Sequence, residues 1–497
     1  MPFKESEDFL RYLTMGAAGC AAIARHLAST HRHRVAELER YTMSNKIWQT
    51  KVKRLRLPDL MCLDCGLRFE AKAKSALEIK LSHSSTAGRH WDAGLRPQDL
   101  VAFIHCRSSS GMSVAAQRPQ YFTVKALQAA HSHAKLGPAK SASAGAERDY
   151  CWPSSVPKQG GLVWHVEQGL VRATLDNGRN QTYKVADAYP YLQQGDRFVA
   201  DANFLLGVVE PPGDIGCAGE IWDYGADLDA PDTVDRYAAV KAAGLQRDER
   251  CAPRLAAIAS VGVEDWRLML EALGSLARID PQTWTPRIAQ LAHQDAQNNK
   301  SLVMEAMFLL AELRTDAASQ LLWDFASDHT FATEARAAAV WGLGAVGTNR
   351  PELVLPFVAD ADDDVALHAL ATIGTLAPTL VERAQAMLRA EPREAAAAAT
   401  LLARQGGSGA AALIEASQWS GSASHFALYA LGQISPDMVR EAGSNALPES
   451  MQFALTTMWK GNFDNWVQQN HNADALRSLE QQTLRENSEV PVLPTPR

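Results

Sequence analysis

Apolar residues recur at helical spacing from Asp8 to about Thr30, and the run closes on a Ser-Thr-His cluster, so the pattern predicts one helix. Shorter runs with strand-like alternation follow: RVAELERY from Arg34, LRLPDLMCL ending at Leu63, LRFEAKAK from Leu67 to Lys74, and LVAFIHC from Leu100 to Cys106. A helix, a strand, a hairpin and a further strand predict a small α/β domain over residues 1–130. Residues 131–148, HSHAKLGPAKSASAGAER, mix Pro, Gly, Ser and Ala without periodicity and read as a linker. From 149 to 215 the pattern is again strand-like, and Asp176-Asn177-Gly178 between two such runs predicts a hairpin, because these residues tolerate the positive φ of a tight turn. A small all-β barrel or sandwich is expected there.

After Pro211, Pro212 and Gly213 the chain turns helical. An Ala-Leu-Gly-like hexad starts at Ala242, Ala272, Leu309, Gly342, Ala369, Leu401 and Ala430, about 31 residues apart on average, the length of one helix pair. ARAAAVWGLGAVG from Ala335 and DDVALHALATIGTLA from Asp363 resemble HEAT-like repeats, in which small residues let paired helices approach closely. The resemblance implies an α-solenoid over residues 230–465. The tail, 472–497, ends in a Pro-rich run and carries no folding signal. The expected fold class is therefore multidomain, with an N-terminal α/β domain, a middle all-β domain and a helical solenoid.

The 497 residues, 46% hydrophobic and 21% charged, are of ordinary globular composition, and no window holds the roughly 20 apolar residues of a membrane span. MGAAGCAAIA, ending at Ala24, has the look of a leader core, but Glu5, Glu7, Asp8 and Arg11 precede it where a secretory leader needs a basic start. Seven scattered cysteines do not form a disulfide framework either, so a soluble, cytoplasmic protein without membrane contact is expected. Net charge is −7, yet residues 1–140 hold 22 Lys+Arg against 11 Asp+Glu. The excess peaks around Lys46, Lys51, Lys53, Arg54 and Arg56, a set suited to a nucleic-acid backbone, with Tyr41, Trp48 and Tyr121 nearby as stacking candidates.

Pro58-Asp59 and, eleven residues after Asp59, Glu70-Ala71-Lys72 bracket a tight turn. With a two-residue turn at Asp64-Cys65, Asp59 lies opposite Glu70; with the turn one residue later it lies opposite Lys72, and in either register all three share a face. Two adjacent carboxylates with a lysine suit Mg²⁺ or Mn²⁺ and phosphodiester hydrolysis. This arrangement resembles the PD-(D/E)xK nuclease superfamily, especially its restriction-endonuclease-like and Holliday-junction-resolvase-like branches. The resemblance implies Asp59, Glu70 and Lys72 as catalytic residues, with Asp59 and Glu70 as metal ligands. Many members carry a further acid on the first helix; the middle of the helix here has none, and Glu7, Glu37 and Glu39 are substitutes. Glu78-Ile79-Lys80 is a second short match.

Cys62-x-x-Cys65-Gly66 is half of a zinc knuckle, with Cys106, His105, His90 and His83 as candidates to complete it. Cys62 has the opposite strand parity from Asp59 and would not compete for the hydrolytic metal. His131 and His133 are too few for a metal site. No His-Glu dipeptide occurs, which counts against an iron site of the kind used by HEAT-like hydroxylases. The sequence thus leads to a metal-dependent DNA endonuclease, with RNA as a second substrate class, whose solenoid serves partner or substrate recognition, its acidic charge favouring a protein partner over nucleic acid. A homodimer is the arrangement in which one such site per chain cuts both strands. The setting would be bacterial restriction or anti-phage defence. The alternative is an inactive nucleic-acid-binding scaffold.

Overall fold

The computed structural model describes residues 6–38, 57–86, 88–109, 112–142, 145–217, 219, 221–260, 265–295, 298–346 and 350–459. They fall into two compact units, Met1–Pro281 and Gln282–Arg497. The first is rich in sheet and the second consists of many helices.

In the first unit, α1 (Ser6–His31) leads into β1 (Val35–Glu37), β2 (Leu60–Cys62) and β3 (Arg68–Lys74), an antiparallel meander. The chain leaves the sheet for β4 (Ile79–His83) and returns as β5 (Leu100–Ser109), parallel to β3 from Phe69↔Leu100 to Lys74↔His105. β6 (Met112–Ala115) and β7 (Gln120–Thr123) then pair antiparallel with β5. Side chains alternate across the sheet, so its two faces carry different cores. Leu60, Cys62, Phe69, Ala71, Ala102 and Ile104 pack against Cys20, Ile23 and Leu27 of α1. At Gly19 an added Cβ would stand 2.5 Å from the Ala73 Cβ, so α1 lies flush on β3. The opposite face holds Val101, Phe103 and Phe122 with Ile79, Leu81 and Trp152.

The segment read as a linker is partly sheet. β8 (Lys135–Leu136) and β9 (Arg148–Trp152) pair with each other, and β9 pairs with β4. Trp152 is fully buried and donates its indole N–H to the Leu127 carbonyl at the end of α2 (Val124–Ala129). The boundary expected at 148/149 therefore falls inside a strand of the first core. Burial of Trp152 and the β4 ladder outweigh the loop-like composition.

Beyond it, β10 (Ser154–Ser155), β11 (Gly161–Glu167), β12 (Leu170–Leu175), β13 (Asn180–Lys184), β14 (Tyr189–Pro190), β15 (Arg197–Phe198) and β16 (Leu206–Gly207) build two small sheets, ordered β13-β12-β11-β15 and β10-β16-β14. The expected hairpin joins β12 to β13, with Gly178 at φ +81°. These sheets are not a separate domain, because Phe204 and Val209 enter the same core as Phe103. The Gln120 side chain, at the start of β7, also bonds both backbone groups of Phe204, at 3.0 and 2.6 Å.

Helices α3 (Tyr224–Asp227), α4 (Thr233–Leu245), α5 (Ala252–Ile258) and α6 (Trp266–Ile279) also belong to the first unit, so the helical region does not begin a new unit at residue 230. The reason is their anchorage. Asp235 pairs with the buried Arg68, Lys241 donates to the Leu38 carbonyl, and Gln246 donates to the Leu63 carbonyl.

Helix α7 (Pro281–Gln294) opens the second unit, followed by α8 (Lys300–Leu313), α9 (Asp316–Ser327), α10 (Thr333–Trp341), α11 (Pro351–Val354), α12 (Asp363–Thr372), α13 (Pro378–Met387), α14 (Pro392–Ala403), α15 (Gly406–Ser417), α16 (Ser422–Gly432), α17 (Pro436–Glu441) and α18 (Glu449–Trp459). Proline in the first turn of α11, α13, α14 and α17 starts helices where its missing N–H costs nothing. Within this unit α8 packs on α9 and α10, α10 on α12, α14 on α15 and α16, and α16 on α18. The hexads fall on, or directly after, every second helix from α4 to α16, and the alanines of α10 and α14 are buried where the neighbours approach. The tail 472–497 lies outside the described residues.

In this unit Arg336 on α10 and Asp360, both nearly buried, form an ion pair at 2.5 Å. Removing one partner strands the other charge. Asp360→Ala is expected to lower unfolding free energy by about 3 kcal/mol, read by denaturant titration of the far-ultraviolet helical signal.

Candidate functional site

The β2–β3 register sets the chemistry. Leu60 pairs with Phe69 and Met61 with Arg68, and one further step puts Asp59 across from Glu70. Of the two registers open from the sequence, this is the one with the turn at Asp64-Cys65. Asp59 is 3% exposed, and its Oδ2 accepts the Ala71 N–H at 2.6 Å. Glu70 and Lys72, on the same face, form an ion pair and keep 17% and 29% of their side chains exposed. All three lie on the face opposite α1, and Cys62 lies on the α1 face.

Lys74 continues the row. Burial, and after it the charges of Lys72 and Lys80, push its pKa down to about 8, while its ammonium donates to the Lys80 carbonyl at 3.1 Å. The second motif match behaves differently: Lys80 on β4 lies 3.6 Å from Glu78 and 3.5 Å from Asp149, and Lys140 joins Asp149 at 2.7 Å, an ion-pair cluster on a sheet edge.

Of the acids expected to complete the site, Glu37 is excluded by pleat. It pairs with Leu60 and so shares the α1 face, away from Asp59. The side chain of Glu7 lies outside the described residues, as do Glu39, Lys46, Lys51, Lys53, Arg54, Arg56, Tyr41 and Trp48. Tyr121 is core rather than a stacking platform: it is 7% exposed, its hydroxyl hydrogen-bonds His26 Nδ1 at 3.0 Å, and burial raises its pKa.

A second cluster forms on the other face. The ligand atoms of His33, Cys62, Cys65 and Cys217 all lie within 4.8 Å of one another. Sequence reasoning found the two cysteines of the knuckle but not the other two groups. Cys106, His105, His90 and His83 are engaged elsewhere: Cys106 with the Met15 carbonyl, His105 with the Ser75 carbonyl, and His83 and His90 with each other's rings. His33 follows α1 directly, and Cys217 comes from the loop beyond β16. A polar residue before strand β1 and an isolated cysteine in a Gly-Pro loop were the available signals, and neither specifies a partner.

Hydrogen bonds converge on this cluster. The side chain of Cys65, chiefly, together with the backbone N–H groups of Asp64 and Cys65, holds the Cys62 thiol down at about 3, whereas Cys65 is pushed up. Burial works against a charged His33, but its bonds to Cys62 and to the Ile215 carbonyl outweigh burial and raise its pKa. Gly66, at φ +70°, closes the hairpin beneath the Trp222 indole; a Cβ there would sit 2.8 Å from the ring.

No family model matches the chain, and no curated protein matches it. Among solved structures, human deoxyhypusine hydroxylase in complex with glycerol aligns at 18% identity over 48% of this chain and 95% of its own, with a TM-score of 0.22. The complex of CpcE and CpcF of phycocyanin lyase from Nostoc sp. PCC7120 aligns at 18% identity over 51% of this chain and 98% of its own, with a TM-score of 0.23. No helix among the described residues is long and apolar enough to cross a membrane.

A lysine whose charged form is disfavoured by burial destabilises the fold wherever the unfolded chain would protonate it. For Lys74 that cost is complete below about pH 8 and vanishes above the ordinary lysine value of 10.5. Lys74→Met is therefore expected to raise unfolding free energy at pH 7 by on the order of 1–3 kcal/mol. The gain should shrink as pH rises from 8 towards 10.5, which parallel denaturant titrations would measure.

Proposed function

We propose that the N-terminal unit is a metal-dependent endonuclease that hydrolyses DNA phosphodiester bonds, in the manner of the PD-(D/E)xK superfamily. The observation that carries this reading is the shared face of Asp59, Glu70 and Lys72, with Asp59 one register step across from Glu70. A helix packed on an antiparallel meander whose third strand has a parallel neighbour agrees with the restriction-endonuclease-like fold.

The donor set fits a hard divalent cation. Two carboxylates face each other on adjacent strands, where without a positive charge they would repel, and Mg²⁺ or Mn²⁺ prefers such oxygens. Bound there, the cation supplies positive charge for the phosphoryl oxygens and activates water. Asp59, anchored by the Ala71 N–H, and Glu70, across the ladder, are the carboxylates that would hold the cation. Lys72 swings from Glu70 to the phosphate, where its ammonium offsets charge in the transition state. Lys46, Lys51, Lys53, Arg54 and Arg56 supply the charge that grips the backbone of DNA or, as a second substrate class, RNA.

The helical region acts in this reading as a HEAT-like solenoid. Residues 141–497 hold 27 Lys+Arg against 45 Asp+Glu, which favours a protein partner over nucleic acid. A homodimer would bring two sites to one duplex, and bacterial restriction or anti-phage defence is the setting, by analogy with nucleases joined to interaction modules. The near-complete burial of Asp59 and the Glu70–Lys72 pair favour a second reading, an inactive nucleic-acid-binding scaffold.

Purified protein incubated with plasmid, linear DNA and single-stranded RNA is expected to cut in Mg²⁺ or Mn²⁺ and not in EDTA. Asp59→Ala and Lys72→Ala should each lose on the order of 100-fold or more. Nucleic-acid binding without cutting by the unmodified chain would support the scaffold instead.

A further inference from the structure

We propose that His33, Cys62, Cys65 and Cys217 form a closed, four-ligand Zn²⁺ site whose role is structural, independent of the hydrolytic metal and of the nuclease reading. The four residues come from three distant stretches of chain: the exit of α1, the β2–β3 hairpin, and the loop beyond β16.

The separations suit four ligands around one tetrahedral ion after a slight contraction. With zinc–sulfur bonds near 2.3 Å and zinc–nitrogen bonds near 2.0 Å, ligand atoms should be roughly 3.5–3.8 Å apart. Cys62 Sγ lies 3.9 Å from Cys217 Sγ, and Cys65 Sγ lies 3.7 Å from His33 Nδ1. No two of the four ligand atoms are more than 4.8 Å apart, so the site closes with movements of no more than about 1 Å.

The surroundings fit a metal better than free thiols. The Cys62 N–H donates to the Leu67 carbonyl at 2.8 Å and the Gly66 N–H donates to the Cys62 carbonyl at 3.0 Å, which closes the Cys-x-x-Cys-Gly turn and holds its two sulfurs beside His33 and Cys217. His33 Nε2 donates to the Ile215 carbonyl at 2.7 Å, which leaves Nδ1 with its lone pair facing the sulfurs. A disulfide between Cys62 and Cys217 would leave both the imidazole and Cys65 without a purpose in the cluster.

Four protein ligands leave no open position for water or substrate, so the site does not itself catalyse. Its effect is mechanical. The Cys217 N–H donates to the His31 carbonyl, and the Trp222 N–H donates to the Asp64 carbonyl at 2.7 Å, so zinc would staple this loop across the base of the hairpin that carries Asp59 and Glu70.

The test uses the full chain with no nucleic acid present. Metal analysis of protein purified without chelator should find one zinc per chain. Replacement by Co²⁺ should give the intense visible bands of a tetrahedral thiolate site. Cys217→Ala and His33→Ala should each lose stoichiometric zinc and alter the cobalt spectrum, whereas Cys151→Ser should keep both. In case the variants misfold, alkylation of the unmodified chain provides an independent measure: Cys62, Cys65 and Cys217 should resist iodoacetamide until a strong chelator is added, while Cys151 reacts at the same rate with or without it. Absence of zinc together with failure to take up Co²⁺, iron in its place, a Cys62–Cys217 disulfide by mass spectrometry, or unchanged metal content in Cys217→Ala would each overturn the proposal. Since no step reads cleavage, loss of the nuclease reading would leave this result untouched.

Discussion

The antiparallel register between Leu60–Cys62 and Arg68–Lys74 is the constraint on which the rest of the first unit depends. Strand side chains alternate, so one ladder distributes two chemistries to two faces: Asp59, Glu70 and Lys72 on one, and Cys62 among the α1-packed residues on the other. A slip of one residue would exchange the faces, bury the carboxylates under α1 and turn the thiol outward. The fold resists that slip through the Leu60 and Phe69 contacts with α1, through the flush approach at Gly19, and through the Ala71 N–H held by Asp59.

The hairpin does not stand alone. Segments from much later in the chain return to it, with Trp222 donating to the Asp64 carbonyl, Gln246 to the Leu63 carbonyl and Lys241 to the Leu38 carbonyl. Arg68, 1% exposed, would be a costly buried charge without Asp235 and Asp99; burial pushes its pKa down even so. These ties explain why α4 belongs with the sheet although its sequence belongs with the repeats. They also give the Cys/His cluster its fourth side, since the loop they hold carries Ile215 and Cys217.

Much of the local structure was legible because it is periodic. The first helix, β3, β5 and the turn at Gly178 sit where apolar spacing and turn chemistry put them, and the hexads coincide with alternate helices. The β4–β9 pair was not legible: β4 and β9 are five residues each and are joined through a stretch rich in Gly, Ser and Ala, so the signal for a linker was stronger locally than the signal for sheet. The unit boundary near residue 281 escaped for a related reason, because repeat periodicity says nothing about which helix is anchored to the preceding sheet.

The same division holds at the two clusters. The Asp59/Glu70/Lys72 spacing and the Cys62-x-x-Cys65 turn are short-range features, and the chain by itself determined that they would occupy opposite faces of one hairpin. Which register the hairpin takes, that Glu37 faces away from Asp59, and that His33 and Cys217 meet the knuckle were decided only by tertiary structure. Cys217 is 155 positions from Cys62 and His33 is 32 from Cys65. No pattern of local spacing encodes such a meeting, because it results from the burial and hydrogen bonding of whole segments, whose free energy is a property of the assembled core.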